Sequence, residues 1–214
     1  MDNIRVISDT HFEHGNIIDY CGRPVRFQNK ILAHLDQPEA LCEMFIHVGD
    51  FGFLNKAETV EHFLLCLPSD NVILVAGNHD LKCKRILKGC WSRVIMPSKQ
   101  PFKIEYAGLK FAIQHRPFGR QKYKVRGKRL WLQKISDFFT KGASTIPEDA
   151  DVVIHGHIHE LGQRYRWVEG KLIVNACVEH WDYKSFSLDE VVKEYHERKQ
   201  FYSTYRPRFN SRKH

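Results

Sequence analysis

An α/β fold, with antiparallel strands mixed among parallel ones, is predicted by three observations. Short runs rich in Val, Ile, Leu and Phe alternate with amphipathic helical segments. Ala107-Gly108 and Glu169-Gly170 carry turn signals between strand-like stretches, as hairpins do. Residue types that bind metals stand just after five of the apolar runs. The strand runs are Ile4–Ser8, Met44–Val48, Val72–Ala76, Leu109–Gln114 and Val152–Ile154, apolar enough to be buried on both faces. At Glu169-Gly170, Gln163–Val168 turns back into Lys171–Val174. Asn55-x-x-Glu58 reads as a capping box opening a helix whose Val60, Phe63, Leu64 and Leu67 share a face, and Pro68 stops it. A shorter helix runs from Leu81 to Lys88 and ends at Gly89. Ser187-x-x-Glu190 caps a third, which continues through Val191, Val192 and Tyr195 to about Lys199. The stretch from Gln28 to Glu43 reads as a linker.

Size and composition limit what these elements can do. A chain of 214 residues can bury one large core, and one catalytic domain over residues 1–197 is the expectation. Apolar runs fall short of the roughly 18 residues that a bilayer span needs. The opening Ile4-Arg5-Val6-Ile7-Ser8 is strand-like, unlike a signal peptide. A soluble cytoplasmic protein without a membrane partner is therefore expected. The six cysteines show no Cys-x-x-Cys pair and read as free thiols. The net charge of +8 is unevenly placed: residues 116–145, read as a basic insert, hold nine Lys and Arg against one acid. Residues 198–214, read as a flexible tail, hold six and no acid, and the remainder of the chain is acidic at −6. Two such segments suit a polyanion such as nucleic acid, while solvated surface is the plain alternative. Within the insert, Trp131, Phe138 and Phe139 could stack on bases, although Leu130, Ile135 and Phe138 at helical spacing look more like a core-facing stripe.

The chemistry sits where the strands stop. Asp9-Thr10-His11 follows the first run, Gly49-Asp50 the second, Gly77-Asn78-His79-Asp80 the third, His115 the hairpin strand, and Gly156-His157-Ile158-His159 the last. In open α/β sheets such ends are where ligands bind. On extended chain, i and i+2 side chains share a side, which would let Asp9 converge with His11, and His157 with His159. Imidazole, carboxylate and one amide oxygen suit borderline divalent ions better than Ca²⁺, with Mn²⁺ foremost and Zn²⁺, Fe²⁺ or Ni²⁺ as alternatives. One bridging carboxylate with three ligands on each side would hold two ions. His47, inside a predicted strand, reads as a satisfied core histidine.

Taken together and in this order, these blocks resemble the calcineurin-like metallophosphoesterase family, whose motifs are Asp-x-His, Gly-Asp, Gly-Asn-His-Asp/Glu, His and Gly-His-x-His. The resemblance spans about Ile4 to Glu190 and is nearest the small single-domain bacterial and phage branch. That branch also opens with Ser-Asp-Thr-His-Phe and closes with Trp-Asp-Tyr before Ser-Leu-Asp-Glu, here Trp181–Tyr183 and Ser187–Glu190. The resemblance implies a four-layer α/β/β/α sandwich of two mixed sheets flanked by helices. It also implies that Asp9, His11 and His159 hold one metal, that Asn78, His115 and His157 hold the other, and that Asp50 bridges them. His79 is then the general acid, oriented by Asp80, in keeping with its being the one motif histidine left without a metal. Two departures from the branch, the short stretch from Gln28 to Glu43 and the long basic one after His115, alter the rim of the site.

The expected reaction is hydrolysis of a phosphodiester by a metal-bridging hydroxide, with His79 protonating the departing oxygen. A nucleic-acid or nucleotide substrate is favoured by the basic insert. The alternatives are a small-molecule phosphomonoesterase, a cyclic-nucleotide phosphodiesterase and a non-catalytic nucleic-acid-binding module, the last opposed by the intact ligand set. His14 and Asn16 are candidates to reach the substrate, against loop-ordering hydrogen bonds as the plainer role of both. Arg116 and Arg120 are candidate phosphate clamps, against ordinary surface charge. The physiological substrate, the native metal and the oligomeric state stay open at this point.

Overall fold

A computed structural model of the chain describes residues 3–54, 56–81, 83–90, 94–95, 101–118, 145–159 and 163–205. Two five-stranded mixed sheets stack face to face with helices on the flank. The first holds β1 (Ile4–Ile7), β2 (Met44–His47), β3 (Val72–Val75), β4 (Val94–Ile95) and β10 (Phe186–Ser187), in the order β10-β1-β2-β3-β4. β1 to β4 run parallel, and β10 is antiparallel to β1. The second holds β5 (Phe102–Tyr106), β6 (Leu109–Gln114), β7 (Val152–His155), β8 (Tyr165–Val168) and β9 (Lys171–Asn175), in the order β5-β6-β7-β9-β8. β6, β7 and β9 are parallel neighbours, with antiparallel β5 and β8 at the two edges.

Strand alternation divides the apolar side chains between two cores. Ile4 and Val6 of β1, with Ile46, Ile73 and Val75, meet Phe111, Ile113, Val152, Ile154, Leu172 and Val174 across the inter-sheet layer. Ile7, Phe45 and Leu74 point the other way, against the helices. There they meet α1 (Ile17–Cys21) through Ile17, α2 (Phe27–Leu35) through Phe27, Ile31 and Leu35, α3 (Ala57–Leu65) through Val60 and Phe63, and α4 (Lys84–Cys90) through Leu87. Burying each such side chain contributes about 1.5–3 kcal/mol. On the far face of the second sheet, Ala112 and Val153 pack under Phe118, Ala150 and Ile146. The predicted stripe of Leu130, Ile135 and Phe138, with Trp131 and Phe139, lies outside the described residues. α5 (Leu188–Tyr205) closes an open edge, where Leu188, Val191 and Tyr195 enter the inter-sheet core.

Both hairpins form as the turn residues dictate. Ala107 and Gly108 have φ of 49° and 75°, and Glu169 and Gly170 have 51° and 81°, the left-handed pair that a two-residue turn needs to match strand twist. The Ser187 capping box is present: Ser187 Oγ accepts the Glu190 N–H at 3.2 Å, and Glu190 Oε2 accepts the Ser187 N–H at 2.9 Å. Other expectations shift. α5 runs six residues beyond Lys199 and is packed there, with Trp167 stacked on Tyr202 at 5.6 Å, so the tail expected from residue 198 is helical to 205. The stretch from Gln28 to Glu43 is no linker, because Phe27, Ile31 and Leu35 at i, i+4 and i+8 bury one face of α2. α3 begins at Ala57 with Lys56 before it, and Asn55 lies outside the described residues. α4 starts at Lys84, later than expected, and passes Gly89 to Cys90.

Candidate metal centre

The loops leaving β1, β2, β3, β6 and β7 bring the motif residues to one place. Asp9 N–H donates to the Gly49 carbonyl at 2.9 Å, His11 N–H to that of Asp50 at 3.0 Å, and Gly156 N–H to that of His115 at 2.9 Å. The convergence does not use extended chain. Asp9, His11, Asp50, His157 and His159 have φ of 57°, 49°, 53°, 75° and 46°, so the strands end before the ligands and left-handed turns aim them. Such backbone costs about 1–3 kcal/mol per non-glycine residue and persists where surroundings enforce it, as at binding sites. Glycine matters because loop meets carboxylate: a Cβ on Gly156 would collide with Ser8 Oγ and Asp9 Oδ2, and one on Gly77 with Asp50 Oδ1.

One carboxylate stands between two donor sets. Asp9, His11 and His159 form the first, with Asp9 Oδ1 3.7 Å from His11 Nε2 and 3.8 Å from His159 Nε2. Asp50, His115 and His157 form the second, and Asn78 joins it. His115 Nε2 lies 3.2 Å from Asn78 Oδ1, 3.2 Å from His157 Nδ1 and 3.3 Å from Asp50 Oδ2. Asp50 Oδ2 is also 3.7 Å from His11 Nε2, which puts it between the sets. A tetrahedral ion with bonds of about 2.0–2.1 Å holds its donors about 3.3 Å apart, so these gaps are of ligand-to-ligand size.

The donors fit metal ions on their own chemistry. Asp9 Oδ1 and His11 Nε2 are buried without a hydrogen-bond partner, which is costly unless a cation fills the gap. Burial pushes His11 down to about 4 and His157 to about 3, leaving both as lone-pair donors at neutral pH. His115 behaves oppositely: burial would lower it, yet Asp50 and Asp9 raise it to about 9. Burial opposes the shift at Asp9 too, but His115, His11 and His159 hold it well below the usual carboxylate range. Two buried carboxylates thus demand positive charge, which protons on His115 and His159 can supply and divalent ions can replace.

Around the donors lies a layer that sequence reasoning missed. His159 Nδ1 is 3.0 Å from Glu179 Oε1, which fixes the tautomer that turns Nε2 toward Asp9. Glu179 also accepts from Arg23 Nε at 2.8 Å, while Arg23, only 3% exposed, donates to the Asp9 carbonyl at 2.6 Å and the Thr10 carbonyl at 3.1 Å. His159 pulls Glu179 down to about 2 against the upward effect of burial. His115 Nδ1 donates to the Val48 carbonyl at 2.8 Å, which similarly frees Nε2. Cys177 donates its S–H to Asp9 Oδ2 at 3.3 Å. No local spacing signals Arg23 or Glu179, which reach the site across 14 and 20 residues from Asp9 and His159.

The remaining candidates divide. His79 stands over the centre, its backbone N–H donating to Asp50 Oδ1 at 2.8 Å and its Nε2 3.9 Å from Asp50 Oδ2, with the side chain 27% exposed. The expected orienting contact from Asp80 is not made, and His79 Nδ1 has no hydrogen-bond partner. Asp80 is bound elsewhere: it accepts the N–H of Gly77 and of Asp50 at 2.7 Å and of Phe51 at 2.9 Å. Three backbone donors converge on it, so its charge ties the β2 and β3 loops together. His14 enters the cluster, Nδ1 to Nδ1 3.1 Å from His11. Asn16 is exposed at the start of α1, and Arg116 is exposed, its carbonyl accepting from Gln114 at 2.7 Å. Arg120 lies outside the described residues. His47 is a satisfied core histidine, 2.9 Å from Thr10 Oγ1 and accepting the Gly49 N–H at 3.2 Å.

Stacked mixed sheets whose strand ends present paired His and Asp clusters define a metal-dependent phosphoesterase fold. The chain belongs to the calcineurin-like phosphoesterase superfamily, whose domain profile matches residues 3–178. It is 30% identical over 200 residues to the uncharacterized protein MJ1445 of Methanocaldococcus jannaschii, covering 90% of this chain and 91% of that one. Among solved structures it is similar to AQ665 of Aquifex aeolicus, a protein of unknown function, at 28% identity and a TM-score of 0.62, covering 89% of this chain and 98% of that one. Members of the family are hydrolases that use divalent metals. Among the described residues no helix is long and apolar enough to cross a membrane.

Proposed function

We propose that the chain is a dinuclear-metal phosphodiesterase acting on nucleic acid or nucleotides. The observation that carries this reading is Asp50 Oδ2 lying between two donor sets, one of which contains the orphaned Asp9 Oδ1 and His11 Nε2. Asp9, His11 and His159 would hold one ion, Asn78, His115 and His157 the other, and Asp50 both. Bound there, the ions supply an acidified water as nucleophile and positive charge against the phosphoryl oxygens. Mn²⁺ is the proposed native metal. Asp50 fixes the spacing of the sets through its two oxygens, one toward His11 and His115, the other accepting the His79 N–H. His79, held by that backbone contact at the exposed mouth, gives its proton to the departing oxygen. Asp80 keeps the two loops that carry Asp50 and Asn78 in register.

The charge distribution supports a polyanionic substrate, since residues 116–145 and 198–214 carry +8 and +6. Part of the second segment is already engaged: Arg198 lies over the Tyr165 ring at 5.8 Å and Lys199 over Tyr195 at 5.3 Å. The cations proposed to contact a nucleic-acid backbone are those of the insert and those beyond Tyr205. Free thiols at Cys21, Cys42, Cys66 and Cys177 suit the reducing cytoplasm. Metal-reconstituted protein should hydrolyse a simple phosphodiester in preference to a phosphomonoester, and lose that activity to a chelator. His79→Ala should cost about 10²–10⁴ in kcat with an alkoxide leaving group and much less with a nitrophenolate, which departs unprotonated. Equal losses on both substrates would remove His79 from proton transfer, and turnover by verified metal-free protein would defeat the whole reading. Affinity for single-stranded oligonucleotide should fall with salt at a log–log slope of about −0.7 per neutralised phosphate.

A further inference from the structure

Three histidine rings meet on the outer side of the ligand cluster, and the dinuclear reading leaves much of their donor capacity unused. The ring centres of His11 and His14 are 5.2 Å apart, those of His14 and His79 5.1 Å, and those of His11 and His79 5.0 Å. One nitrogen from each lies within 4.8 Å of the others. His11 and His159, and His115 and His157, paired around the proposed ions, show 5.1 Å in both cases. The number has a simple origin. A metal–nitrogen bond of about 2.0–2.1 Å puts a ring centre about 3.2 Å from the ion, and two such rings at the tetrahedral angle stand about 5.2 Å apart.

The nitrogens are placed accordingly. His11 directs Nε2 to Asp9 and Asp50, at 3.7 Å from each, which leaves Nδ1 facing His14 Nδ1 at 3.1 Å. That gap is near the edge of about 3.3 Å expected between donors on one tetrahedral ion. His79 Nδ1 is buried without a hydrogen-bond partner, so a closed network of hydrogen bonds does not account for the third ring. Phe53 stacks on His14 at 5.2 Å and meets His79 edge-on at 6.3 Å, which restrains the rings where they stand.

We propose that His14, His79 and Nδ1 of His11 form a third transition-metal site, for a borderline ion such as Zn²⁺, beside the dinuclear centre. His11 then carries an ion on each ring nitrogen, and the proton on Nδ1 leaves to solvent. With imidazole donors and no carboxylate, this site is the weaker one and fills last. Filling it occupies His79, so zinc beyond two equivalents should inhibit. That consequence rests on the acid role proposed for His79, whereas the site does not.

Zinc bound per full-length chain, counted by equilibrium dialysis and elemental analysis, tests it. Wild type should reach three ions, the third at least about tenfold weaker than the pair, and His14→Ala and His79→Ala should each stop at two. His79 is partly exposed, so its variant should fold, and an unchanged circular dichroism spectrum checks this. Two ions in wild type, or three in both variants, overturns the proposal. So does His14→Ala losing an ion while His79→Ala keeps three, since His14 then only positions His11. Fewer than two tight ions in wild type would instead count against the dinuclear centre. The third site is then read in Asp50→Asn, where a zinc ion lost on adding His14→Ala supports it and one retained overturns it.

Discussion

Glu179→Gln should weaken metal binding although Glu179 is assigned to neither ion. Its Oε1 stands 3.0 Å from His159 Nδ1 and accepts from Arg23 Nε at 2.8 Å, so one oxygen sets the imidazole tautomer and compensates a buried guanidinium. Glutamine keeps the shape and one acceptor and removes the charge. Losing such an outer partner of a ligating histidine costs about 10–100-fold in affinity, or about 1.4–2.7 kcal/mol. Arg23 keeps its bonds to the Asp9 and Thr10 carbonyls. The stability loss should therefore fall below the 3–5 kcal/mol or so that follows removal of one partner of a buried pair. Chelator competition at fixed pH reads the affinity, and urea unfolding of chelated protein reads the stability. Affinity within twofold of wild type would refute the reasoning, as would a loss matched in full by destabilisation of the chelated protein.

Asp50→Asn should weaken both ions, by more than the roughly 100-fold expected for an outer partner, because the charge it removes serves both sets; dialysis that still finds two tight ions would exclude bridging. Protein kept in chelator should lose stability between about pH 6.5 and 9. His115 is raised to about 9 against burial by Asp50 and Asp9, so its contribution is full below its unfolded value and lost as pH rises through the folded one. A urea midpoint unchanged from pH 6 to 9.5 would contradict this. Ser187→Ala removes one arm of the α5 capping box and should cost about 1 kcal/mol, a Tm drop of about 2–4 °C in a chain this long, with metal content unchanged.

Most of the candidate centre was legible in the sequence because its donors follow apolar runs in short motifs. A run such as Val72–Val75 becomes a buried strand wherever it pairs, and the residues after it fall at the sheet's edge. Local chemistry likewise specified the two hairpins and the Ser187 cap, since each depends on residues at most three apart. Tertiary structure decided the rest. The i, i+2 pairs converge through left-handed turns that only the packed loops enforce, and not through strand alternation. Asp80 sits one residue from His79 in sequence yet serves the backbone of Gly77, Asp50 and Phe51, because three donors meet there in space. Glu179 and Arg23 could not have been chosen from spacing at all: an ion pair under a ligating histidine is selected by the folded geometry, which charge and sequence distance do not encode. The same holds for His14, whose place against His11 and His79 follows from how the loop after β1 folds back beside the loop after β3.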